Sequence, residues 1–312
     1  MKKTLIMTFL LMFAYLPLLS AQETQPPAET QPPAETQPPA ESESLAEWKS
    51  QAKETKKNKR DYTVQINLNY WFSNYTGDLT FSDYDVLGDD TTTIKGEKID
   101  LVDELGLENE QAVPEIELRW RPGEKHMILL SWYGVNYGGE KDLDTEIDFA
   151  GYTFKTGTEF ETDYRIDRIK LVHHYTPLMS DMASLDLIWG AEYYMLTVGY
   201  EGSAKEDNGS TKLVDGDEFL PVPIPVIGIG GNLYLPYGFG AYAQFSGMGI
   251  AYEDIKAGYT DLDVGITYDY KYLHAGVGYR MLTTKFEVEE DDEEFDLDVV
   301  NQGVLATVGV SF

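Results

Sequence analysis

The sequence predicts an all-β fold: a transmembrane antiparallel up-and-down β-barrel of ten strands. Three observations predict it, namely segments with apolar residues at every second position, a rhythm of short and long connections, and an export signal at the start of the chain. Successive side chains of a strand point to opposite faces, so apolar residues at every second position place one face in an apolar medium and the other face in a different medium. In the last segment the apolar positions are Val304, Ala306, Val308, Val310 and Phe312.

The first strand begins near Tyr62, and its two faces differ in polarity. One face carries Val64, Ile66, Leu68, Tyr70 and Phe72, and the other carries Thr63, Gln65, Asn67, Asn69 and Trp71. A strand of a transmembrane barrel shows this alternation over about ten residues, with apolar side chains towards lipid and polar ones towards the lumen. Nine further segments follow, and the tenth ends at Phe312.

The connections between these segments alternate in length. Those after the second, fourth, sixth and eighth predicted strands are short, whereas those after the first, third, fifth and ninth are longer and acidic. Short turns at one end and long loops at the other are typical of transmembrane barrels. A soluble β-sandwich gives no reason for such regularity.

The chain before the barrel divides into two predicted parts. Residues 1–21 read as a signal peptide, since a short basic start is followed by an apolar run and by small residues up to Ala21, near which we expect cleavage. Residues 22–60 contain three copies of Glu-Thr-Gln-Pro-Pro-Ala and then a short basic segment. Paired prolines predict an extended spacer. The basic segment is either a solvated helix or a part that contacts anionic head groups or enters the barrel mouth. Residues 61–312 form the barrel.

Composition limits the function classes. The formal net charge is −30, which argues against nucleic-acid binding because phosphates would repel the chain. There is no cysteine, so packing or lipid must stabilise the exported protein. The acidic loops predict solvated surfaces with, at most, weak recruitment of divalent cations. None has the spacing of a defined metal site, and we expect no cofactor.

Charged residues at inward positions are the candidate lumen lining. Most follow directly from the alternation, and a change of phase near Asp167 in the fourth predicted strand adds two more. The structural interpretation is a salt-bridge plug, and the functional one is a narrow polar channel whose charges select solutes. The candidates are Glu115, Glu117, Arg119, Arg121, Arg168, Lys170, Asp186, Glu192 and Arg280.

The sixth predicted strand contains three prolines at alternate positions, Pro221, Pro223 and Pro225. In an antiparallel ladder, alternate residues bond to the same neighbour, so these prolines remove donors towards one neighbouring strand only. We therefore expect a weak seam in the barrel wall. It is either a lateral opening for an apolar solute or a frayed extension above the bilayer.

Histidine placement argues against an enzyme. The four histidines, His126, His173, His174 and His274, all fall at the short-turn end of the predicted barrel, and none has a convincing serine partner in sequence. Histidine is the usual general base near neutral pH. We therefore expect no catalytic residues.

The export signal, the ten alternating segments, the loop rhythm and the terminal Phe312 resemble small bacterial outer-membrane β-barrels of the OmpA/OmpW-like superfamily. The resemblance is architectural and covers about residues 61–312. It implies a Gram-negative outer membrane, with residues 22–60 and the short turns in the periplasm and the acidic loops outside. The partners that it implies are outer-membrane lipid, lipopolysaccharide and, through Phe312, the barrel-assembly machinery.

In OmpW-like barrels the implied role is passage of small, often hydrophobic, molecules. We accordingly expect a narrow channel or passage for small solutes. The alternative is a structural or adhesive barrel with a plugged lumen that acts through its acidic outer loops. The sequence leaves the oligomeric state open, and a monomer is the simpler expectation.

Overall fold

The computed structural model describes residues 43–312, apart from 88–89, 95–97, 105, 143–146, 150–151, 155–156, 158, 206–210, 253–254 and 291–292. The predicted signal peptide and the three proline-rich repeats lie outside these residues. The described chain consists of one helix, α1 (Glu43–Arg60), and β-strands. Among the described residues, no helix is long and apolar enough to cross a membrane.

Ten long strands form the barrel wall, and four short ones extend it. The long strands are β1 (Val64–Leu87), β4 (Glu110–Gly123), β5 (His126–Asp142), β8 (Glu159–Met179), β9 (Ala183–Lys205), β10 (Thr211–Tyr234), β11 (Phe239–Tyr252), β12 (Ile255–Tyr270), β13 (Leu273–Glu290) and β14 (Glu293–Ser311). The short strands are β2 (Asp90–Ile94), β3 (Lys98–Asp100), β6 (Ile147–Phe149) and β7 (Tyr152–Phe154). A 3₁₀ turn, Pro236–Gly238, joins β10 to β11.

The sheet closes on itself through the two ends of the barrel sequence. β1 pairs antiparallel with β14 from Gln65↔Ser311 to Asp83↔Glu293, and β1 also pairs with β4. The remaining long strands pair in chain order, and β10 pairs with both β9 and β11. The ten-strand antiparallel barrel predicted from the sequence is therefore confirmed. The backbone carbonyl of Phe312 accepts hydrogen bonds from Thr63 at 2.7 Å and Val64 at 3.2 Å, which fixes the chain end at the closing seam.

The outer surface of the wall carries an apolar belt. Side chains of this belt are large, apolar and exposed, which in a closed sheet is the signature of a lipid-facing surface. On β1 they are Ile66, Leu68, Tyr70 and Phe72, and on β14 they are Val304, Val308 and Val310. Aromatic residues lie at the short-turn edge of the belt, where amphipathic rings favour the membrane boundary. They include Tyr237, Phe239, Tyr268, Tyr270, Tyr272 and Phe312.

Two details differ from the sequence prediction. Several strands are longer than the segments predicted for them, reaching 24 residues in β1 and β10, because pairing continues beyond the belt into the long-loop end. The predicted change of phase near Asp167 is wrong: β8 and β9 keep one register from Phe160↔Gly202 to Tyr175↔Leu187, and the irregularity lies between Tyr175 and Leu178. Apolar Ile166 and Val172 face inward in the same phase as Arg168 and Lys170, so polarity does not mark the inner face of this strand.

Candidate functional site

The nine candidate lumen residues all lie on the inner face of the wall, but at two depths. Five of them meet in one buried network halfway along the lumen, together with Asp261 of β12. We call this network the charged layer. Its members are Glu115, Arg168, Lys170, Glu192, Asp261 and Arg280. The other four, Glu117, Arg119, Arg121 and Asp186, lie between this layer and the short turns.

The charged layer contains three acids and three bases that pair across the lumen. Arg168 donates from Nε and Nη2 to the two carboxylate oxygens of Glu192, at 2.6 and 2.5 Å. Asp261 also accepts from Arg168, at 3.1 Å, and from Lys170, at 3.3 Å. Arg280 donates to Asp261 at 3.0 and 2.7 Å and to Glu115 at 3.0 Å.

These charges are shielded from water. The side chains of Arg168 and Glu192 are 1% and 0% exposed. Aromatic rings cover the two guanidinium groups: Arg168 lies over Tyr133 and Tyr194 at 5.6 and 5.7 Å, and Arg280 lies over Trp71 at 5.2 Å. A cation next to the face of an aromatic ring gains electrostatic stabilisation when both are desolvated. The layer thus contains equal numbers of acids and bases, and its side chains are almost fully shielded from solvent.

The lumen on the long-loop side of the charged layer is filled by apolar side chains. We call this group the outer cluster, and its members follow the charged residues along each strand. They include Trp71, Tyr75, Leu79, Tyr133, Tyr137, Tyr194, Leu196, Leu282, Phe286, Leu297 and Val299. Leu101 and Leu107, from the segment after β3, pack into the same cluster. An interior of this kind has the composition of a protein core, not of an aqueous pore.

A polar cavity of about 130 Å³ lies on the other side of the charged layer. Glu117 accepts from Arg119 at 2.6 Å and from Asn67 at 2.7 Å. Asp186 accepts from Thr176 at 2.5 Å and from Asn232 at 2.8 Å. Arg121 lies over the ring of Tyr62 at 4.9 Å. Both signs of charge therefore line this cavity, and most of the charges are already paired.

The C-terminus of α1 lies at the short-turn end of the cavity. Lys59 and Arg60 line it together with the strand residues, and both reach partners on the wall. We call this end of the barrel, where α1 meets the short turns, the short-turn mouth. Sequence reasoning identified a basic segment here and left open whether it enters the barrel. The signal in the sequence was the position of Lys59 and Arg60 in a basic run at the end of a helical segment. Their partners become visible only in the closed barrel.

Two ladders between neighbouring long strands stop while both strands continue among the described pairings. The ladder of β4 with β5 ends at Glu115↔Tyr133, and the ladder of β10 with β11 ends beside the three prolines. β10 pairs with β9 without a break through Pro221↔Met195, Pro223↔Tyr193 and Pro225↔Ala191. On its other side, the ladder of β10 with β11 ends at Ile227↔Gly247, although β11 continues to Tyr252. Because the β9 ladder is intact, the missing proline donors face β11.

The histidines do not converge on a site. His126 and His173 stack on each other with Nδ1 and Nε2 3.1 Å apart, whereas His174 and His274 are buried inside the barrel. The Nδ1 atom of His274 is 2.8 Å from a carboxylate oxygen of Asp269. Within the described part of the chain, no group of three or more histidine and acidic side chains is arranged to hold a metal ion.

Asp261 is the one member of the charged layer that sequence reasoning did not name. The signal was present, since Asp261 and Asp263 alternate with outward Leu262 and Val264 on β12. What the sequence does not contain is the register that places Asp261 beside three bases from β8 and β13.

Comparisons with known proteins show what the chain is similar to in fold. No family model matches the sequence, and no curated protein matches it. Among solved structures, the outer-membrane protease OmpT of Escherichia coli is 14% identical, with a TM-score of 0.47; the match covers 80% of this chain and 97% of OmpT. The toluene transporter TodX of P. putida is 11% identical with a TM-score of 0.35, covering 83% of this chain and 92% of TodX.

A third structure, Neisserial surface protein A, is 10% identical with a TM-score of 0.27, covering 80% of this chain and 97% of that one. The similarity is therefore to outer-membrane β-barrels in general. It does not extend to the OmpA/OmpW-like superfamily that the sequence features resemble, and the reported structures have differing roles.

Proposed function

We propose that this protein is a bacterial outer-membrane barrel that passes small apolar solutes sideways, through the seam between β10 and β11. The observation that carries the proposal is that this ladder ends at Ile227↔Gly247, while both strands continue, beside three prolines that cannot donate hydrogen bonds to β11. Five positions of β11, Met248–Tyr252, extend beyond it. At about 3.4 Å per residue, the unpaired stretch is about 17 Å long.

The two sides of the seam suit an apolar solute. Val222, Ile224 and Val226 of β10 are buried in the outer cluster, and Ile250 of β11 packs against it. On the lipid side, Ile227 is exposed, as is Phe245 on β11. An apolar molecule leaving the outer cluster by this route stays in contact with apolar side chains and enters the membrane without crossing a polar barrier.

The charged layer explains why the route is sideways and not along the axis. A solute moving towards the short turns would have to separate Arg168 from Glu192 and Asp261, each in a dry environment. Separating a buried ion pair leaves uncompensated charges and is strongly unfavourable. An aqueous channel for ions is therefore not the function that this geometry supports.

A reversible cross-link tests the proposal. The natural chain has no cysteine, so Pro223→Cys with Ala251→Cys introduces a single disulfide at positions that would face each other if the ladder continued. The assay is the rate at which an apolar fluorescent probe, N-phenylnaphthylamine, enters outer membranes that contain the protein. We expect oxidation to lower this rate and reduction to restore it.

The matched control is Leu233→Cys with Ala241→Cys, which links β10 to β11 where they already pair. This bond should leave the uptake rate unchanged. Equal uptake by the oxidised and reduced seam variant, or uptake no faster than in membranes lacking the protein, would contradict the lateral passage.

The alternative is a structural or adhesive barrel with a plugged lumen. It is favoured by the charged layer and the outer cluster, which fill the lumen in succession. Single-channel recording on the refolded barrel, with and without substitution of Arg119, Arg121 or Arg280, separates both proposals from an ion channel. Conductance that changes with these residues would contradict both. Absence of conductance, together with probe uptake that the cross-link does not change, would favour the structural role.

A further inference from the structure

The last two residues of α1 are bound individually by the short-turn mouth. Lys59 donates to Thr267 Oγ1 at 2.8 Å and forms an ion pair with Asp269. Arg60 has more partners, which come from three strands and the turn between β4 and β5. They are Tyr234 Oη at 2.7 Å, the Glu124 carbonyl at 2.9 Å, Thr176 and Ser184 hydroxyls at 3.2 Å each, and Asp186 at 3.5 Å.

The rest of α1 is attached lightly. Ala52 is fully buried, and the hydroxyl of Thr55 accepts a hydrogen bond from the Gly238 backbone at 3.1 Å. Leu45, by contrast, is 43% exposed. A third ion pair, between Lys56 and Asp181 at 3.9 Å, involves an aspartate that is 57% exposed, so the buried charge contacts of α1 are those of Lys59 and Arg60. Among the described strand pairings, none includes a residue of α1.

Departure of α1 would leave two acids without their cations. The side chains of Asp186 and Asp269 are only 8% and 11% exposed. Their remaining partners are the neutral Thr176 and Asn232 for Asp186, and His274 for Asp269. These exposures hold with α1 docked, so water would reach both carboxylates in an empty mouth. An occupant that covers them again without a charge would leave them buried and unpaired, which is strongly disfavoured. A molecule that replaces α1 efficiently must therefore bring positive charges of its own.

We propose that the short-turn mouth is a recognition site for a flexible dication, that Lys59 and Arg60 occupy it in cis, and that a soluble linear polyamine displaces them. The hydroxyls of Thr176, Ser184, Tyr234 and Thr267 supply neutral acceptors that suit ammonium groups, and the two aspartates supply the charge. Displacement of α1 would remove Lys59 and Arg60 from the lining of the cavity of about 130 Å³. This inference does not depend on the lateral passage.

Thiol labelling of the full-length chain tests displacement directly. In an Ala52→Cys variant, the only thiol is buried while α1 is docked, and a maleimide reacts with it slowly. We expect spermidine to accelerate the labelling severalfold and saturably. Leu45→Cys, exposed in the docked state, is the matched control and should react at the same rate with and without spermidine.

Two further sets of substitutions, each combined with Ala52→Cys, connect the effect to the site. With Lys59→Ala and Arg60→Ala, the introduced thiol should be labelled quickly without spermidine and gain nothing from it. With Asp186→Asn and Asp269→Asn, the response to spermidine should also be lost. Amide hydrogen exchange on the unmodified protein provides a reading that needs no cysteine: spermidine should speed exchange in residues 43–60 and leave the barrel strands unchanged.

Sodium chloride at equal ionic strength separates recognition from general screening. If it accelerates labelling as much as spermidine does, the mouth has no preference for a dication and the proposal is wrong. An unchanged rate in spermidine, with faster exchange absent in residues 43–60, overturns it as well.

Discussion

Arg168 and Glu192 form a bidentate ion pair, at 2.6 and 2.5 Å, in which neither side chain is more than 1% exposed. A pair of this kind contributes little net stability compared with apolar residues of the same shape, because both charges are desolvated. Removal of one partner is strongly destabilising, because the other charge stays buried without a counter-charge. A substitution that removes one partner of the pair should therefore destabilise the barrel.

Glu192→Gln should lower the stability of the barrel by about 3 kcal/mol, because Arg168 and Lys170 lose a buried counter-charge. The measurement is the urea midpoint of the refolded protein in detergent. Asp298→Asn is the control, since its partner Lys285 is 65% exposed and such pairs contribute about 0–1 kcal/mol. Equal midpoints for the two variants would contradict the shielding described for the charged layer.

Asp261→Asn should destabilise the barrel more than Glu115→Gln. Asp261 has three bases as partners, Arg168, Lys170 and Arg280, whereas Glu115 has Arg280 alone among them. The comparison of urea midpoints needs no absolute scale, because both changes replace an acid by its amide. The reverse order would show that Asp261 is not the centre of the network.

Gly303→Ala should weaken the closing seam between β1 and β14. A Cβ at this position would lie 1.8 Å from the Phe72 carbonyl oxygen, so the backbone must shift, at a cost of about 1–3 kcal/mol. Gly231→Ala is the control, since its nearest contact would be 3.7 Å. The thermal midpoint should fall for the first variant only; a fall of similar size in both would point to loss of glycine itself.

Replacing Pro221, Pro223 and Pro225 together with valine should restore the missing donors and favour pairing of β10 with β11. Amide exchange at Gly249 and Ala251 should slow, while exchange at the already paired Ala243 should not change. Uptake of the apolar probe should fall in parallel. Unaltered exchange at Gly249 and Ala251 would mean that another feature keeps the strands apart.

Much of the architecture follows from local pattern. The alternation in β1 and in Val304–Phe312 specifies which face meets lipid, since the side-chain period of a strand is two. The lengths of the connections specify the order and direction of the strands. The three prolines specify where a ladder lacks donors, because proline has no N–H in any fold.

The contents of the lumen depend on tertiary structure. Register and shear bring Asp261 of β12 to Arg168 of β8. These two residues are far apart in sequence, and no periodicity of the sequence relates them. The same is true of Arg60 and Asp186, which meet only once the wall has closed around the end of α1. The sequence by itself thus determined the barrel, the face that is apolar and the three positions of β10 that lack a backbone donor. Only the closed structure decided that the charges of the lumen pair in one layer, because charge pairing across a barrel depends on the alignment of strands that are not neighbours in the chain.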